Sequence, residues 1–258
     1  MPGLLAEITP VVLTRDEEVN IGRTLGQLRW ARQVIVVDSE SLDRTREIAA
    51  SFSNVRITVR RFDDFAAQWN HAISMVTTVW MLALDADYFV TDAFAAEADA
   101  LAPPPDVDGY EAPFRYAVNG RPLRGTLYPP HAVLVRRSVA TFAMDGHAYR
   151  IRVPGRVERL HQPLIHDDRK DLRRFIARQR KYMRDEAAKL RATPWGALNA
   201  AGKIRKLRVV APFAVALHTL FAKRAILDGR AGWRYALERV IAEAILAWEL
   251  MRPTARTG

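Results

Sequence analysis

Two aspartates stand two residues apart at the end of an apolar run, where Val79 to Leu84 (VWMLAL) is followed by Asp85-Ala86-Asp87. On extended backbone such a pair faces one side of a sheet, and carboxylates that close repel unless a cation lies between them. A hard divalent ion, Mg2+ or Mn2+, answers that repulsion, because it takes oxygen ligands and commonly shares them with substrate phosphates. Two other apolar runs end in the same way. Thr14, Arg15 and Glu17 follow Ile8 to Leu13, and Asp38 to Asp43 (DSESLD) follows Val34 to Val37. Three polar ends meeting in one crevice would hold a metal-bound diphosphate; a turn or a helix cap is the plainer role for the same residues.

The elements that must position these residues are legible as periodicities. Ile8 to Leu13, Val34 to Val37, Val55 to Val59 (VRITV) and Val79 to Leu84 read as strands, and Val34 to Val37 is continuously apolar, as strands buried on both faces of a parallel sheet tend to be. Between the strands, Val19 to Trp30 carries Ile21, Leu25 and Leu28 at helical spacing, and Asp43 to Ser51 and Phe65 to Met75 read as helices. The alternation predicts right-handed crossovers and a ligand site beyond the carboxyl ends of the strands. Tyr110 to Val118 with Asn119-Gly120 reads as a hairpin into a strand at Ala132 to Val135, and Asp171 to Leu190 as an amphipathic helix with a very basic surface.

Composition narrows the chemistry. The chain has 258 residues, 49% of them hydrophobic, and no cysteine, which excludes disulfides, thiolate nucleophiles and Cys-based zinc sites. Residues 1–114 carry a net charge of −9 and residues 115–258 a net charge of +19. A basic half suggests an anionic partner, membrane or nucleic acid, or simply solvated helix faces. No phosphate loop and no Gly-x-Gly-x-x-Gly follows the first strand, so kinase-like and dehydrogenase-like readings lose their support. Met1 to Ala6 lacks the pattern of a secretory signal. Val209 to Ala222, the longest C-terminal stretch without Lys, Arg, Asp or Glu, is shorter than the roughly 20 residues that span a bilayer, and no transmembrane helix is expected.

The segments VVLTRDEEVNIGRTLGQL, VIVVDSESLDRTREIA, FAAQWNHAI and WMLALDAD, in that order, resemble the nucleotide-sugar domain of family-2 glycosyltransferases, whose fold is GT-A. GHAYRI, LIHDDRK and LDGRAGW are similar to a bacterial subgroup that builds cell-surface polysaccharide or lipopolysaccharide core. The resemblance implies an α/β fold: a GT-A-like, Rossmann-type mixed sheet flanked by helices, spanning residues 1–166, with a helical basic extension at 167–258. It implies that Thr14, Arg15 and Glu17 border the nucleotide, Asp38 meets the uracil or ribose with Ser39 nearby, and Gln68 and Asn70 line the donor pocket. Asp85 and Asp87 would flank the metal-bound diphosphate, with His166 as a further metal ligand or a contact of the departing diphosphate.

Related enzymes often carry a His-Glu pair where this chain has His147-Ala148, so the usual glutamate base is missing. An inverting transfer needs a group to take the acceptor's proton. Asp145 is the nearest carboxylate, with Asp167 and Asp168 as competitors; Asp145 could equally stabilise a turn, and Asp167 or Asp168 could cap the following helix. Arg150, Arg169 and Lys170 are plausible counter-charges for the leaving nucleoside diphosphate. Lys203, Arg205, Lys206 and Arg208 precede the apolar stretch and Lys223-Arg224 close it, as in a segment lying in a membrane interface, or in a packed helix pair with a basic edge. The expected function is metal-dependent, inverting transfer from a nucleoside-diphosphate sugar, with UDP as the expected nucleotide, to a lipid-linked glycan or lipopolysaccharide acceptor. Its expected place is the cytoplasm, peripheral to the inner membrane, on an anionic membrane surface. The rivals are a nucleic-acid-binding protein, against which the acidic strand ends and the lack of any recognised motif both count, and a catalytically silent nucleotide-sugar-binding partner.

Overall fold

The structure, a computed structural model, describes residues 3–145, 148–169 and 171–252, and for Asp145 and Ala148 the backbone alone. Strand β1 (Ile8–Thr14), helix α1 (Ile21–Gly26), β2 (Val34–Asp38), α2 (Thr45–Ala50), β3 (Val55–Val59), α3 (Phe65–Ser74) and β4 (Trp80–Asp85) form the expected alternation. The chain continues through β5 (Tyr88–Phe89), α4 (Asp92–Asp99), β6 (Val107–Ala112), β7 (Phe114–Val118), β8 (Arg121–Pro122), β9 (His131–Arg136), β10 (Thr141–Asp145), β11 (Ala148–Arg152), β12 (Arg156–Arg159) and β13 (Leu164–His166). Helices α5 (Leu172–Ala192), α6 (Ala200–Lys206), α7 (Val210–Leu217) with a π-helical turn at His218–Ala222, and α8 (Gly229–Met251) complete it. The chain divides into two compact units, residues 1–120 with 128–169, and residues 121–127 with 170–258.

The first unit is built on a seven-stranded sheet of order β12-β6-β9-β4-β1-β2-β3. β4, β1, β2 and β3 run parallel, and β9 is antiparallel to both β4 and β6. The sheet is therefore mixed. The chain moves outward from β1 to β3 and then returns to place β4 on the other side of β1, so the topological switch point lies between β1 and β4, where ligands of open α/β sheets bind. Alternate residues of the central strands feed two cores: Val12, Val36 and Leu84 pack with Leu25 and Phe94 on one face, and Val11, Ile35 and Met81 with Trp69 and Phe142 on the other. Burial on both faces is why those strands read as continuous apolar runs.

Residues 110–112 make the expected antiparallel pairing with the strand at 132–135, Tyr110 opposite Leu134, and residues 114–118 depart from it. Pro113 separates β6 from β7, having no N–H to offer a ladder, and its carbonyl accepts from Leu164 N at 3.0 Å. β7 therefore pairs in parallel with β13, while β9 pairs with β6 and β4. Asn119 and Gly120, at φ 51° and 80°, supply the positive dihedrals of the tight turn that the Asn-Gly pair signals. In the second unit, Asp171 caps α5 by accepting from Arg174 N at 2.8 Å, so the cap falls to neither Asp167 nor Asp168. Met183, Ala187 and Leu190 of α5 pack on Leu246 and Leu250 of α8, and Arg205 of α6 joins Glu243 of α8 at 2.7 Å and Glu186 of α5 at 3.3 Å.

Trp69 is fully buried and stacks on Phe142 of β10 with ring centroids 5.3 Å apart. Its replacement by Ala should lower unfolding free energy by about 3–5 kcal/mol, the cost of emptying a large aromatic site. A loss below about 1 kcal/mol in urea denaturation would show that this face of the sheet is not the packed core described.

Candidate functional site

The ends of β1, β2 and β4 lie together by register: Thr14 pairs with Asp38, and Leu13 with Asp85. The loops beyond β1 and β2 are laced to each other by side chains. Asp16, in the left-handed region at φ 53°, gives its N–H to Ser41 Oγ at 2.9 Å and accepts from Leu42 N at 2.8 Å. Glu17 N donates to Thr45 Oγ1 at 2.7 Å and Glu18 N to Asp43 Oδ2 at 3.1 Å. These four bonds explain the spacing of hydroxyls and carboxylates in the two motifs.

Several residues expected to touch a donor are instead parts of this scaffold. Asp38 is 0% exposed and accepts from Ser41 through both its backbone N–H and its hydroxyl. Its carboxylate shapes the loop from within, at the strand end where a contact to base or ribose is expected. Gln68, buried, gives its amide to Ser39 Oγ at 2.8 Å and accepts from Arg60 Nη1 at 2.6 Å, so Ser39 and Gln68 hold one another beneath the edge. Asn70 donates to Phe142 O at 2.9 Å and accepts from Phe142 N at 3.0 Å, a clip that binds α3 to β10 and commits its amide there. Thr14 is buried at the strand end and its Oγ1 has no hydrogen-bond partner, Glu17 accepts from Asn20 Nδ2 at 2.8 Å, and Arg15 is exposed.

After Asp85 the chain turns at Ala86–Asp87 instead of continuing as a strand. The turn is gripped by α1, whose Thr24 Oγ1 donates to Ala86 O at 2.6 Å and to Tyr88 O at 3.1 Å. Both carboxylates stay in one neighbourhood: Asp85 and Asp87 each raise the cost of ionising Tyr88 and Tyr149, whose hydroxyls are pushed well above the usual phenol range, first by burial and then by these charges. Asp87 also accepts from or pairs with His166 Nε2 at 3.1 Å. Burial pulls that imidazole's pKa down, but Asp87, Asp168 and Asp85 outweigh it and raise it above the ordinary histidine value.

This geometry bears on the expected metal. Among the described residues no group of three His, Asp or Glu is arranged to hold an ion. His166, expected as a metal ligand or a diphosphate contact, sets its Nε2 3.1 Å from Asp87 Oδ2 and has no hydrogen-bond partner at its buried Nδ1. What remains is two carboxylates at the switch point, an all-oxygen donor set that fits a hard ion completed by substrate phosphates.

Asp167, expected as a competing base, is 3% exposed and surrounded by donors: Arg23 Nη1 at 2.6 Å, Arg169 Nε at 2.9 Å and Gly120 N at 3.1 Å. Burial opposes its charge, yet these partners together hold its carboxyl below the usual aspartate range. It ties α1, the Asn119-Gly120 turn and the segment after β13 into one piece, a structural role for the residue expected as a competing base. Arg169, expected as a counter-charge for the leaving diphosphate, gives its Nε to this pair. Asp168 is half-buried and acts on His166. Asp145 ends β10 opposite Ala148; its side chain, and Lys170 altogether, lie outside the described residues.

Beside the carboxylates lies a cavity of about 520 Å3 lined by Tyr128, Pro129, His131, Tyr149, Arg150 and Ile151 among others. Of these only Arg150 is among the expected site residues. Tyr128 bonds Tyr88 through their hydroxyls at 2.7 Å and sets its ring 5.4 Å from His166. His131 stacks on Phe114 at 4.4 Å, and burial first, then the nearby His166, depresses its pKa. The tetrad Tyr128-Pro129-Pro130-His131 was the available signal: two aromatic rings flanking a stiff Pro-Pro pair.

Comparison with known proteins gives the fold a context. Residues 10–137 match the family described as Glycosyl transferase family 2. A TPR repeat-containing protein of Synechococcus elongatus is 34% identical over 84 residues, covering 32% of this chain and 21% of that protein. An uncharacterized glycosyltransferase of Rickettsia typhi is 28% identical over 109 residues, 42% of this chain and 37% of that one. The chain thus aligns with well under half the length of these relatives. Among solved structures, the mannosyltransferase PcManGT from Pyrobaculum calidifontis, in complex with GDP-Man and Mn2+, superposes with a TM-score of 0.52 at 16% identity, over 95% of this chain and 87% of that one. The two share a fold.

The Asp167 network carries a signed pH dependence. A carboxyl whose folded pKa is depressed contributes stability that is present above its unfolded value and is lost as pH falls through the lower folded value. Asp167→Asn should therefore cost on the order of 3 kcal/mol at pH 7, with the difference from wild type shrinking only below about pH 4. Urea unfolding of the two proteins across pH 3.5 to 7 checks this; equal stability at pH 7 with abolished turnover would return Asp167 to the role of base.

Proposed function

Residues 10–137 place the chain in glycosyl transferase family 2, and from that premise we propose that it transfers a sugar from a nucleoside diphosphate, UDP first among them, to a hydroxyl of a lipid-linked glycan or lipopolysaccharide-type acceptor at the cytoplasmic face of the inner membrane. The observation that carries the reading is the meeting of Asp85 and Asp87 at the β1–β4 switch point, next to a cavity lined by Tyr149 and Arg150. The nucleoside would lie over the laced loops after β1 and β2, whose buried Asp38, Ser39 and Gln68 keep the surface rigid. That the Pyrobaculum mannosyltransferase was solved with GDP-Man and Mn2+ supports a donor and an ion of these classes.

Asp85 and Asp87 would hold the divalent ion, with Mg2+ or Mn2+ suited to two carboxylates and phosphate oxygens. Bound there, the ion would neutralise diphosphate charge as it builds on the leaving group. Arg150, which lines the cavity, would place a positive charge beside that diphosphate, and His166, on Asp87, would be a further contact for it. Inversion then requires a base on the opposite side of the anomeric carbon to take the acceptor's proton. With Asp167 committed to Arg23 and Arg169, the role passes to Asp145 at the end of β10, with Asp168 as the alternative.

Calorimetry with UDP and with GDP, each with and without Mn2+, tests the donor site. Binding should need the ion and weaken about tenfold or more in Asp85→Asn, a loss of roughly 1.4 kcal/mol; ion-independent binding unchanged in the variant would defeat the reading. In a transfer assay on the same preparations, Asp145→Asn should cut turnover by about 10²-fold or more with nucleotide affinity kept, whereas a fall only in Asp168→Asn would move the base there.

A further inference from the structure

The second unit carries an apolar row that its own packing does not cover. On α7 and the π turn after it, Val210, Phe213, Leu217 and Phe221 recur at intervals of three and four, one face of a helix, and they are 49%, 69%, 61% and 59% exposed. Other residues of the same segment are the packed ones, with Ala211, Thr219 and Leu220 buried. Large side chains in a contiguous exposed row mark an interaction surface.

What covers the row is indicated by charge. From Ala187 to Leu227 there is no aspartate or glutamate, and that stretch holds Lys189, Arg191, Lys203, Arg205, Lys206, Arg208, Lys223 and Arg224. Not all of these face outward to a partner: Arg205 joins Glu243 and Glu186, and Lys206 Nζ donates to Thr193 O at 2.6 Å. Arg208 and Arg224 are exposed, and they bracket the apolar segment at its two ends, each in the left-handed region at φ 57°. An apolar row between cations, in a stretch without acids, complements a surface that is anionic outside and hydrocarbon beneath.

Length separates lying on such a surface from crossing it. The segment Val210–Ala222 rises about 20 Å as a helix, against about 30 Å of bilayer hydrocarbon. No single helix among the described residues is long and apolar enough to cross; the pair Val210–Ala222 with Ala225–Met251, bent by 69°, meets length and composition only together. The second member of that pair includes Glu238 and Glu243, ion-paired to Arg234 and Arg205 inside the helical unit, which suits a helix packed in protein.

We propose that α7 and its π turn dock the protein on an anionic bilayer, with Val210, Phe213, Leu217 and Phe221 entering the interface and Arg208 and Arg224 meeting lipid headgroups. The attraction of such cations decays within a Debye length of about 8 Å at physiological salt, so docking is salt-sensitive, while the apolar row gives it a salt-resistant part. The row belongs to the second unit and the switch-point carboxylates to the first, and the two tests read different ligands, so failure of vesicle binding leaves the transferase reading standing, and failure of nucleotide binding leaves this one standing.

Co-sedimentation of the full chain with vesicles of phosphatidylcholine, with and without about a third phosphatidylglycerol, tests the proposal. Binding is expected to the anionic vesicles only, weakened severalfold by 0.5 M salt or by Arg208→Gln with Arg224→Gln, and weakened about tenfold or more by Phe213→Ser with Leu217→Ser. Arg205 is left intact, since its variant would break the Glu243 pair. The absence of cysteine from the sequence allows a second readout that does not depend on the double variants folding. An environment-sensitive fluorophore on Phe213→Cys should shift to the blue with anionic vesicles, and the same label on Ser53→Cys, in an exposed turn of the first unit, should not. Equal binding to neutral vesicles, no shift at position 213, or concentration-dependent self-association through the row without vesicle binding would each overturn the proposal, the last by assigning the row to a second copy of the chain.

Discussion

Strand β1 hydrogen-bonds in parallel to β2 on one side and to β4 on the other, and this double pairing governs where polar groups can gather. Because β1 is fully buried along Ile8–Thr14, the chain can emerge only at its end, and the register sets Thr14, Asp38 and Asp85 at one edge. Backbone amides and carboxylates that leave a buried sheet need partners. The structure supplies them by lacing the two loops with Ser41, Asp43 and Thr45 and by seating the Ala86–Asp87 turn on Thr24. The crevice is thus a by-product of sheet topology made rigid by short polar side chains.

A second set of contacts ties later sequence to that edge. Arg23 of α1 meets Asp167, Asp167 accepts from Gly120 N, and Asp167 N donates to Asp87 O at 3.0 Å. His166, next to Asp167, faces Asp87. Residues 144 apart in sequence are therefore joined at one corner, and a change in any one alters how Asp87 is presented. Charge is placed with similar economy: acidic groups lie at the switch point, Arg23 and Arg169 meet Asp167, whose backbone joins Asp87, and many further basic residues belong to the second unit.

The alternation of β1 to β4 with three helices was readable because burial on both faces leaves continuous apolar runs in β1, β2 and β4, while β3, at the sheet edge, keeps only alternating β-branched residues. The strand-end clusters were readable because polar residues there are abrupt. Which of those polar residues remain open was not readable. Asp38, Ser39, Gln68 and Asn70 have the composition of ligand-binding groups, but their partners, Ser41, Arg60 and Phe142, are set by loop geometry up to 72 residues away in sequence. Tyr128, His131 and Tyr149 escaped notice for the opposite reason. Aromatic residues scattered through β-rich sequence carry no period, and only the fold gathers them into one cavity lining. Pro113 was the missed local signal: a single residue without an N–H sent β7 to another sheet.

The central claim is that the β1–β4 edge is where a nucleoside diphosphate and a divalent ion meet. Anomalous diffraction from crystals grown with UDP and Mn2+ measures this directly. The account predicts one manganese peak at coordinating distance from Asp85 and Asp87 and from a diphosphate oxygen, with His166 still on Asp87. A nucleotide bound away from that edge, or manganese held by residues other than these two carboxylates, would contradict it.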